Sequence, residues 1–268
     1  MADDDSFAAP MHEDATSHDS NMVYAFDDFI ALMDALQVLG VDALQANRYV
    51  ASLVKSKLQQ PTVMEAHGRG KIVSMANSEF RNLNVLGKQA LDLRTKKPSG
   101  AHWDFSRAQD RREAKDLVLR DEPTWLIGSP PCTPFSTLMA LNYKHWTDEK
   151  VKEVLDAGRK HLRFVIALYR VQLAGNRHFL HEHPQSASSW RDPWMEDLLK
   201  HPRVGTTIGH QCRYGLTSPS PDGTSLPAMK PTRFASSSAQ MLARLSLKCD
   251  KTHRHQQLMG GHAAEAAF

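Results

Sequence analysis

The chain has 268 residues, a length that suits one domain or one domain with a short appendage. Hydrophobic residues make up 41% and charged residues 24%, which excludes a wholly disordered chain. The chain has no apolar run near the roughly 18 residues that a membrane span needs, no apolar secretory signal and only three cysteines. We therefore expect no membrane partner, no disulfide scaffold and a reduced intracellular compartment.

The net charge of +3 is unevenly distributed along the chain. Residues 1–47 contain ten of the 30 acidic residues and no Lys or Arg. The rest of the chain therefore carries all 33 basic residues against 20 acidic ones, a net charge of +13. Such an excess is typical of proteins that bind a polyanion, although a basic solvated surface is the simpler alternative.

The N-terminal part of the chain changes character after about 20 residues. Residues 1–22 are acidic and without periodicity, which predicts a disordered tail. Residues 23–58 contain two apolar runs at three- and four-residue steps, separated by Gly40, which predicts a helical hairpin. These residues show no catalytic pattern, so we expect residues 1–58 to pack or to bind a protein partner.

Strand-like and helix-like segments alternate over residues 59–215. The alternation predicts an α/β domain with a mainly parallel sheet, in which functional residues follow the carboxyl ends of strands. Residues 216–268 are expected to form a smaller C-terminal region, partly loop, with an exposed loop at 218–225. The predicted strands are 62–66, 89–93, 124–128, 178–181 and 204–208, and the predicted helices are 148–173 and 188–200.

The segment at residues 125–136 reads Trp-Leu-Ile-Gly-Ser-Pro-Pro-Cys-Thr-Pro-Phe-Ser. Its two prolines fix φ and remove backbone donors, so Cys132 is expected on a stiff loop after a strand. A helix starting at Thr133 or Ser136 is expected to lower the pKa of Cys132 through its N-terminal dipole. Such a thiol suits covalent catalysis, and a structural cysteine in a Pro-rich turn is the alternative.

The string Ser-Pro-Pro-Cys-x-x-Phe-Ser around Cys132 resembles the catalytic loop of the cytosine-C5 DNA methyltransferases. Two more motifs follow in the order found in that family. Glu182 comes next to His183, where the family usually has Asn, and Gln211-Cys-Arg213 matches half of a Gln-x-Arg-x-Arg strand. The resemblance covers residues 62–213 and implies a Rossmann-like methyltransferase fold, here preceded by the short helical hairpin.

The resemblance also implies a catalytic mechanism for three residues. Cys132 would attack C6 of cytosine, Glu182 would hydrogen-bond N3, and Arg213 would hold the base or the glutamate. The methyl group would pass from S-adenosylmethionine to C5. In a duplex the target base must first be flipped out of the stack.

The family binds S-adenosylmethionine through an acidic residue and a Gly-rich turn, for which residues 63–70 are the candidate. Glu65 lies three residues before Gly68, one fewer than is usual in the family. Asp92 would meet the ribose hydroxyls and Asp104 the adenine amino group, unless they are surface carboxylates. The expected cofactor-binding residues are Glu65, Gly68, Gly70, Asp92, Asp104 and Pro130.

The C-terminal region is short for this family, because only 55 residues follow Arg213. Its Lys230-Pro-Thr-Arg233 segment resembles compact phage-type and mobile-element methyltransferase-like proteins, which suggests a reduced recognition region. Four residues here have the chemistry of a tetrahedral zinc site, although a solvated His-rich tail is the alternative. The predicted ligands are Cys212, Cys249, His253 and His255.

Three functions from different classes remain open. The first is a cytosine-C5 methyltransferase acting on DNA or RNA, in the nucleus or otherwise intracellular. The second is a catalytically inert nucleic-acid-binding module of mobile-element origin with a degenerate methyltransferase fold. The third is an interaction protein whose acidic tail and helical hairpin dock a protein partner. A cysteine hydrolase in which Cys132 pairs with His181 or His183 has the required residue types, but no oxyanion signature supports it.

Overall fold

The computed structural model of the protein describes residues 60–79, 84–219, 224–256 and 258. The predicted acidic tail (1–22) and helical hairpin (23–58) lie outside these residues. The strands are β1 (Thr62–Ala66), β2 (Leu86–Leu91), β3 (Trp125–Gly128), β4 (His178–Pro184), β5 (Gly205–His210), β6 (Thr217–Pro219), β7 (Ser225–Pro227) and β8 (Pro231–Ser236). The α-helices are α1 (Lys71–Asn77), α2 (Ala108–Asp121), α3 (Thr137–Tyr143), α4 (Asp148–Ala174), α5 (Pro193–Leu199) and α6 (Ala239–Arg244).

Six of the strands form one sheet in the order β2-β1-β3-β4-β8-β5. Strands β2, β1, β3 and β4 are parallel, which confirms the α/β class and the mainly parallel sheet. The chain runs from β1 outward to β2 and then returns to β3 on the other side of β1. Ligands of open α/β sheets bind at such a reversal, outside the carboxyl ends of the strands. We call this end of the sheet the carboxyl edge.

Strand β8 was not expected from the sequence, and it changes the end of the sheet. It lies between β4 and β5 and is antiparallel to both. Its pairing extends β4 to Pro184, three residues beyond the predicted end at 181. The sheet therefore continues past residue 215, where we had placed the border of the α/β domain.

The other predicted strands are present with shifted ends. Strand β1 covers the predicted residues, whereas β2 starts at Leu86, three residues before the prediction. The predicted exposed loop at 218–225 is wrong at both ends, because β6 and β7 pair there and Ser218 is buried.

Helix α4 confirms the long predicted helix at 148–173. The Thr147 hydroxyl caps its first turn by accepting a hydrogen bond from the Lys150 N–H. The predicted helix at 188–200 is instead a 3₁₀ turn (Ser188–Arg191) followed by α5. Asp192 caps α5 and Pro193 lacks a backbone N–H, so a new helix starts at this point. In the described part of the chain, no helix combines the length and apolar character needed to cross a membrane.

Helix α4 packs on the central strands and supplies much of the core. Leu162, Ile166 and Tyr169 from this helix are completely buried, as are Leu126 of β3 and Phe179 of β4. The Tyr169 ring stacks on Phe179 with a centroid separation of 4.4 Å. The helix reaches the sheet this closely because Gly128, at the end of β3, has no side chain. A Cβ at this position would collide with the Tyr169 hydroxyl and lie 2.7 Å from Cγ2 of Val165.

We expect Gly128→Ala to destabilise the protein by about 1–3 kcal/mol, because the added methyl group overpacks the contact with α4. Tyr169→Phe removes the colliding hydroxyl, so the double variant should lose less stability than the sum of the two single variants. Urea unfolding of the four proteins in this cycle measures the difference. Single-variant losses that simply add, within about 0.5 kcal/mol, would contradict this account.

Candidate functional site

The loop at residues 129–136, which we call the Pro-Pro-Cys loop, leaves the carboxyl end of β3. The Ser129 N–H donates to the Ala66 carbonyl at the end of β1, at 3.1 Å. The Tyr143 hydroxyl donates to the Pro134 carbonyl at 2.7 Å, and the Phe135 N–H donates to the Cys132 carbonyl at 3.0 Å. The loop is therefore held from β1, from α3 and from within, as the two prolines predicted.

His183 fixes the first proline of this loop from the neighbouring strand. Its Nε2 lies 2.8 Å from the Pro130 carbonyl and its Nδ1 lies 2.6 Å from the Ser189 hydroxyl. Because a carbonyl can only accept, Nε2 carries the proton and Nδ1 accepts from Ser189. Burial lowers the pKa of His183, which keeps the ring neutral. His183, which stands where the motif resemblance expects Asn, thus positions the Pro-Pro-Cys loop.

Cys132, Glu182 and Lys230 form the centre of the site. The Lys230 ammonium lies 3.3 Å from Oε1 of Glu182. The Gln211 amide donates to the same oxygen at 3.4 Å and to the Thr232 hydroxyl at 2.9 Å. Cys132 lies near enough for Lys230 to lower and Glu182 to raise the pKa of its thiol. An ion pair between an ammonium and a carboxylate therefore lies at the carboxyl edge, within electrostatic range of a thiol.

The expected lowering of the Cys132 pKa is wrong. Burial is the largest influence and raises the pKa of the thiol above its ordinary value, and Lys230 only partly opposes it. Cys132 precedes a single 3₁₀ turn (Thr133–Phe135) and not an α-helix. The α-helix begins later, where the Ser136 hydroxyl accepts from the Met139 N–H. The half-buried thiol therefore stays protonated at neutral pH while no ligand is bound.

Arg213 is not brought to Glu182. The Gln-Cys-Arg motif forms a 3₁₀ turn (Gln211–Tyr214) in place of the strand found in the family. Arg213 pairs with Asp250 at 2.5 Å and donates to the Lys248 carbonyl. The cation beside Glu182 is Lys230, which the sequence analysis quoted in a motif without assigning it a role.

The two histidines proposed for a cysteine hydrolase lie on the face of β4 opposite Glu182. His183 uses both ring nitrogens, and His181 is completely buried with its Nδ1 3.0 Å from the Tyr169 hydroxyl. Burial lowers the pKa of both rings. This arrangement gives neither imidazole the access that a general base for Cys132 requires, and it favours a structural role for both.

The Gly-rich turn after β1 is built around Glu65. The Glu65 carboxylate accepts a hydrogen bond from the Val73 N–H at 2.8 Å, at the start of α1. A Cβ on Gly68 would collide with Oε1 of Glu65, so the Glu65 side chain leaves no room for a larger residue unless it moves. Gly70 has φ 79°, which also favours glycine. Glu65 therefore braces the turn from within the protein and does not face outward to a ligand.

Burial raises the pKa of Glu65 from 4.5 to about 7, and the nearby Asp92 carboxylate adds to this effect. The hydrogen bonds from the backbone of Val73 and Ile72 oppose the rise. The Glu65 side chain is only 2% exposed. Its proton is therefore exchanged close to neutral pH, inside the turn that the sequence predicts for the cofactor.

Asp92 and Asp104 lie in the loops that follow β2. An Asp92 oxygen accepts from the Arg94 N–H at 3.0 Å, and an Asp104 oxygen accepts from both the N–H and the hydroxyl of Ser106. The bonds from Ser106 lower the pKa of Asp104, so it is a carboxylate at neutral pH. Carboxylate acceptors fit the hydroxyl and amino donors of a nucleoside. In the same region Nε2 of His67 is buried without a hydrogen-bond partner.

The four predicted zinc ligands come together. The ligand atoms of Cys212, Cys249, His253 and His255 all lie within 4.8 Å of one another. The Cys249 sulfur lies 3.6 Å from Nε2 of His253 and 3.4 Å from Nε2 of His255.

A basic groove of about 660 Å³ lies between α2 and α4. Its acidic side chain, Asp156, is paired with Lys152 and Arg159. The basic excess is evident from the sequence, but this surface is not, because the two helices are distant in sequence. The basic residues that line the groove are Arg111, Arg112, Lys115, Arg159, Lys160 and Arg163.

Neither a protein-family model nor a curated protein matches this chain.

We expect Glu65 to make stability depend on pH. A carboxyl whose folded-state pKa is raised stabilises the fold below its unfolded pKa and loses this contribution as pH rises through 7. At about 1.4 kcal/mol for each unit between the two pKa values, the loss is up to about 3 kcal/mol. Glu65→Gln cannot titrate, so wild type should lose stability relative to this variant between pH 5 and 8.

Urea unfolding of both proteins at pH 5, 6, 7 and 8 measures this difference. Glu79→Gln, which changes an exposed carboxylate just beyond α1, is the matched control and should follow the wild type. Parallel stability curves for wild type and Glu65→Gln would show that the Glu65 pKa is not raised.

Proposed function

We propose that the protein is an S-adenosylmethionine-dependent methyltransferase-like protein that transfers methyl to C5 of cytosine in DNA or RNA. One observation carries this proposal: the Lys230–Glu182 ion pair lies at the carboxyl edge, within electrostatic range of the Cys132 thiol, where the motif resemblance expects the base. The reversal of strand order between β1 and β3 supports a Rossmann-like architecture for the sheet.

The chemistry required of Cys132 is nucleophilic addition. C5 of cytosine is a poor nucleophile, and addition of a thiolate to C6 makes it enamine-like. The thiol proton leaves to solvent, a sulfur–C6 bond forms, and the C5–C6 π electrons become available at C5. Once the methyl group is on C5, loss of the C5 proton and cleavage of the sulfur–C6 bond restore the ring and the thiolate.

Glu182 and Lys230 supply the electrostatics of this addition. As the thiolate adds to C6, a proton taken up from solvent is held between Glu182 and N3, and it neutralises the negative charge that the addition places in the ring. Lys230, 3.3 Å from Glu182, favours the thiolate form of Cys132. When a base enters and displaces water, this attraction between ammonium and thiolate strengthens because the local dielectric falls. Lys230 thus takes the place that the resemblance implied for Arg213.

S-adenosylmethionine would supply the methyl group as an activated sulfonium. The side chains that could hold it are Asp92 and Asp104, whose carboxylates suit ribose hydroxyls and an adenine amino group. The Pro130 carbonyl is already taken by His183, so Pro130 shapes the loop. Glu65, Gly68 and Gly70 would act indirectly, by keeping the turn after β1 in place.

The basic groove supports a second candidate function, an inert nucleic-acid-binding module. Six basic side chains line the groove, a density suited to backbone phosphates. Arg163 and Arg170 also stack near Trp194, which the groove includes. The two functions share this surface and differ in whether Cys132 reacts.

We expect Cys132→Ala to lower methyl transfer by at least about a thousandfold, because no other group can form the bond to C6. The assay uses labelled S-adenosylmethionine with cytosine-containing DNA and RNA oligonucleotides. The affinity for S-adenosylmethionine, measured by calorimetry, should be unchanged. Thr133→Ala, at the exposed neighbouring position, is the matched control and should keep wild-type activity.

A 5-fluorocytosine oligonucleotide gives a second measurement, since fluorine cannot leave C5 as a proton does. Wild type should form a covalent adduct that Cys132→Ala does not form. Full activity of Cys132→Ala would refute the assignment of Cys132. Nucleic-acid binding by wild type without transfer, adduct or S-adenosylmethionine binding would establish the inert module.

We expect Lys115→Glu, in the exposed part of the groove, to weaken nucleic-acid binding by about tenfold at 0.1 M salt. The slope of log K against log salt should become shallower by about 0.9, because the variant neutralises one phosphate fewer. Lys88→Glu makes the same charge change on β2, outside the groove, and should bind more tightly than Lys115→Glu. Equal weakening by the two variants would indicate a general charge effect and would remove the groove as the binding surface.

A further inference from the structure

The C-terminal part of the described chain, after Ser236, has no buried hydrophobic residues that would hold it in place. Among the described residues after Ser236, none is buried. Even so, residues 244–256 follow a defined path along the end of β5. The Leu247 carbonyl accepts from the His210 N–H at 2.9 Å, and the Gln256 N–H donates to Pro227 of β7 at 2.9 Å. Backbone hydrogen bonds exposed to water contribute little net stability, so this segment lacks an evident source of order.

The Cys/His cluster lies where this segment meets the sheet. Cys212 belongs to the 3₁₀ turn after β5, whereas Cys249, His253 and His255 belong to the C-terminal segment. All four residues are half-buried. Contributions from two segments far apart in sequence are typical of metal sites that join otherwise weakly packed parts of a chain.

The two distances from the Cys249 sulfur to the histidine nitrogens fit a tetrahedral zinc ion, and the widest pair of ligand atoms would close by about 1 Å on binding it. With Zn–S about 2.3 Å and Zn–N about 2.05 Å, a tetrahedral angle separates a sulfur and a nitrogen ligand by about 3.6 Å. The Cys249 sulfur lies 3.6 Å from Nε2 of His253 and 3.4 Å from Nε2 of His255. The remaining pairs of ligand atoms are no more than 4.8 Å apart.

Surrounding groups orient these ligands, as hydrogen-bonding neighbours do in known metal sites. The Lys251 N–H donates to the Cys249 sulfur at 3.3 Å, which suits a thiolate. The Cys249 N–H donates to Nδ1 of His210 at 3.0 Å. Asp250 lies 4.0 Å from Nδ1 of His253, the ring nitrogen that does not face the cluster, and also pairs with Arg213. Arg213 therefore contacts the Cys/His cluster through Asp250 and not Glu182.

We propose that Cys212, Cys249, His253 and His255 bind one zinc ion, which fastens the C-terminal segment to the carboxyl edge of the sheet. Cys212 directly follows Gln211, whose amide reaches Glu182 and Thr232. The zinc ion thus holds the turn that supplies Gln211 to the candidate site. This proposal does not depend on methyl transfer, because it follows from ligand geometry alone.

The first test measures metal content and coordination in the full-length protein, purified with a non-chelating reductant. We expect one zinc per chain, and none in Cys212→Ser or Cys249→Ser. Cys132→Ser is the matched control, because it removes the third cysteine outside the cluster and should keep one zinc. Cobalt substitution should give tetrahedral d–d bands and a thiolate charge-transfer band that Cys132→Ser retains.

A further variant keeps the test conclusive if the cysteine variants do not fold. His255→Cys should keep one metal per chain and strengthen the cobalt–thiolate charge-transfer band, because a third thiolate replaces an imidazole. Removing zinc with a chelator should lower the Tm of wild type and of Cys132→Ser alike. Substoichiometric zinc in folded wild type, full zinc in Cys212→Ser, or a Cys212–Cys249 disulfide under reducing conditions would overturn the proposal.

Discussion

The antiparallel insertion of β8 between β4 and β5 is the constraint on which the candidate site depends. Parallel strands all end at the carboxyl edge, so a strand that runs the other way begins there. Lys230 and Thr232, at the start of β8, are therefore brought beside Glu182 near the end of β4. The same pairing adds residues to β4 and places Glu182 in a regular ladder.

The rigidity of the site comes from the buried face of the same strand. Side chains alternate along β4, so Glu182 faces the site while His181 and His183 face the core. His183 is buried in the core and holds the Pro-Pro-Cys loop in place by a hydrogen bond to the Pro130 carbonyl. Because Gly128 has no side chain, Tyr169 can approach the sheet and form a hydrogen bond with His181. One face of β4 thus presents Glu182 to the candidate site, and His183 on the other face holds the Pro-Pro-Cys loop.

The pKa values at the site are those of the protein without a bound ligand. Burial keeps a proton on Cys132, and Lys230 stands close enough to favour its removal. The Gly-rich turn after β1 has a comparable arrangement, because Glu65 is buried beneath it with its pKa near 7. Burial is the largest influence on both groups and favours the protonated form of each.

Local pattern was enough to predict the α/β class, the long helix α4 and the position of Cys132 on a stiff loop after a strand. Apolar periodicity, prolines and capping residues act over a few residues, so they can be recognised in the sequence. The members of the Cys/His cluster were also recognisable, because few side chains have the chemistry of metal ligands.

Tertiary structure decided which charges meet. Strand β8 could not be predicted from its short Pro-Thr-Arg-Phe-Ala-Ser sequence, and without it Arg213 seemed the partner of Glu182. The pKa of Cys132 followed burial, which depends on the packing of distant segments and outweighed the local helix argument. Sequence by itself determined the reactive groups and the strands they follow. Only the folded sheet determined their partners, because long-range strand pairing sets which side chains share the carboxyl edge.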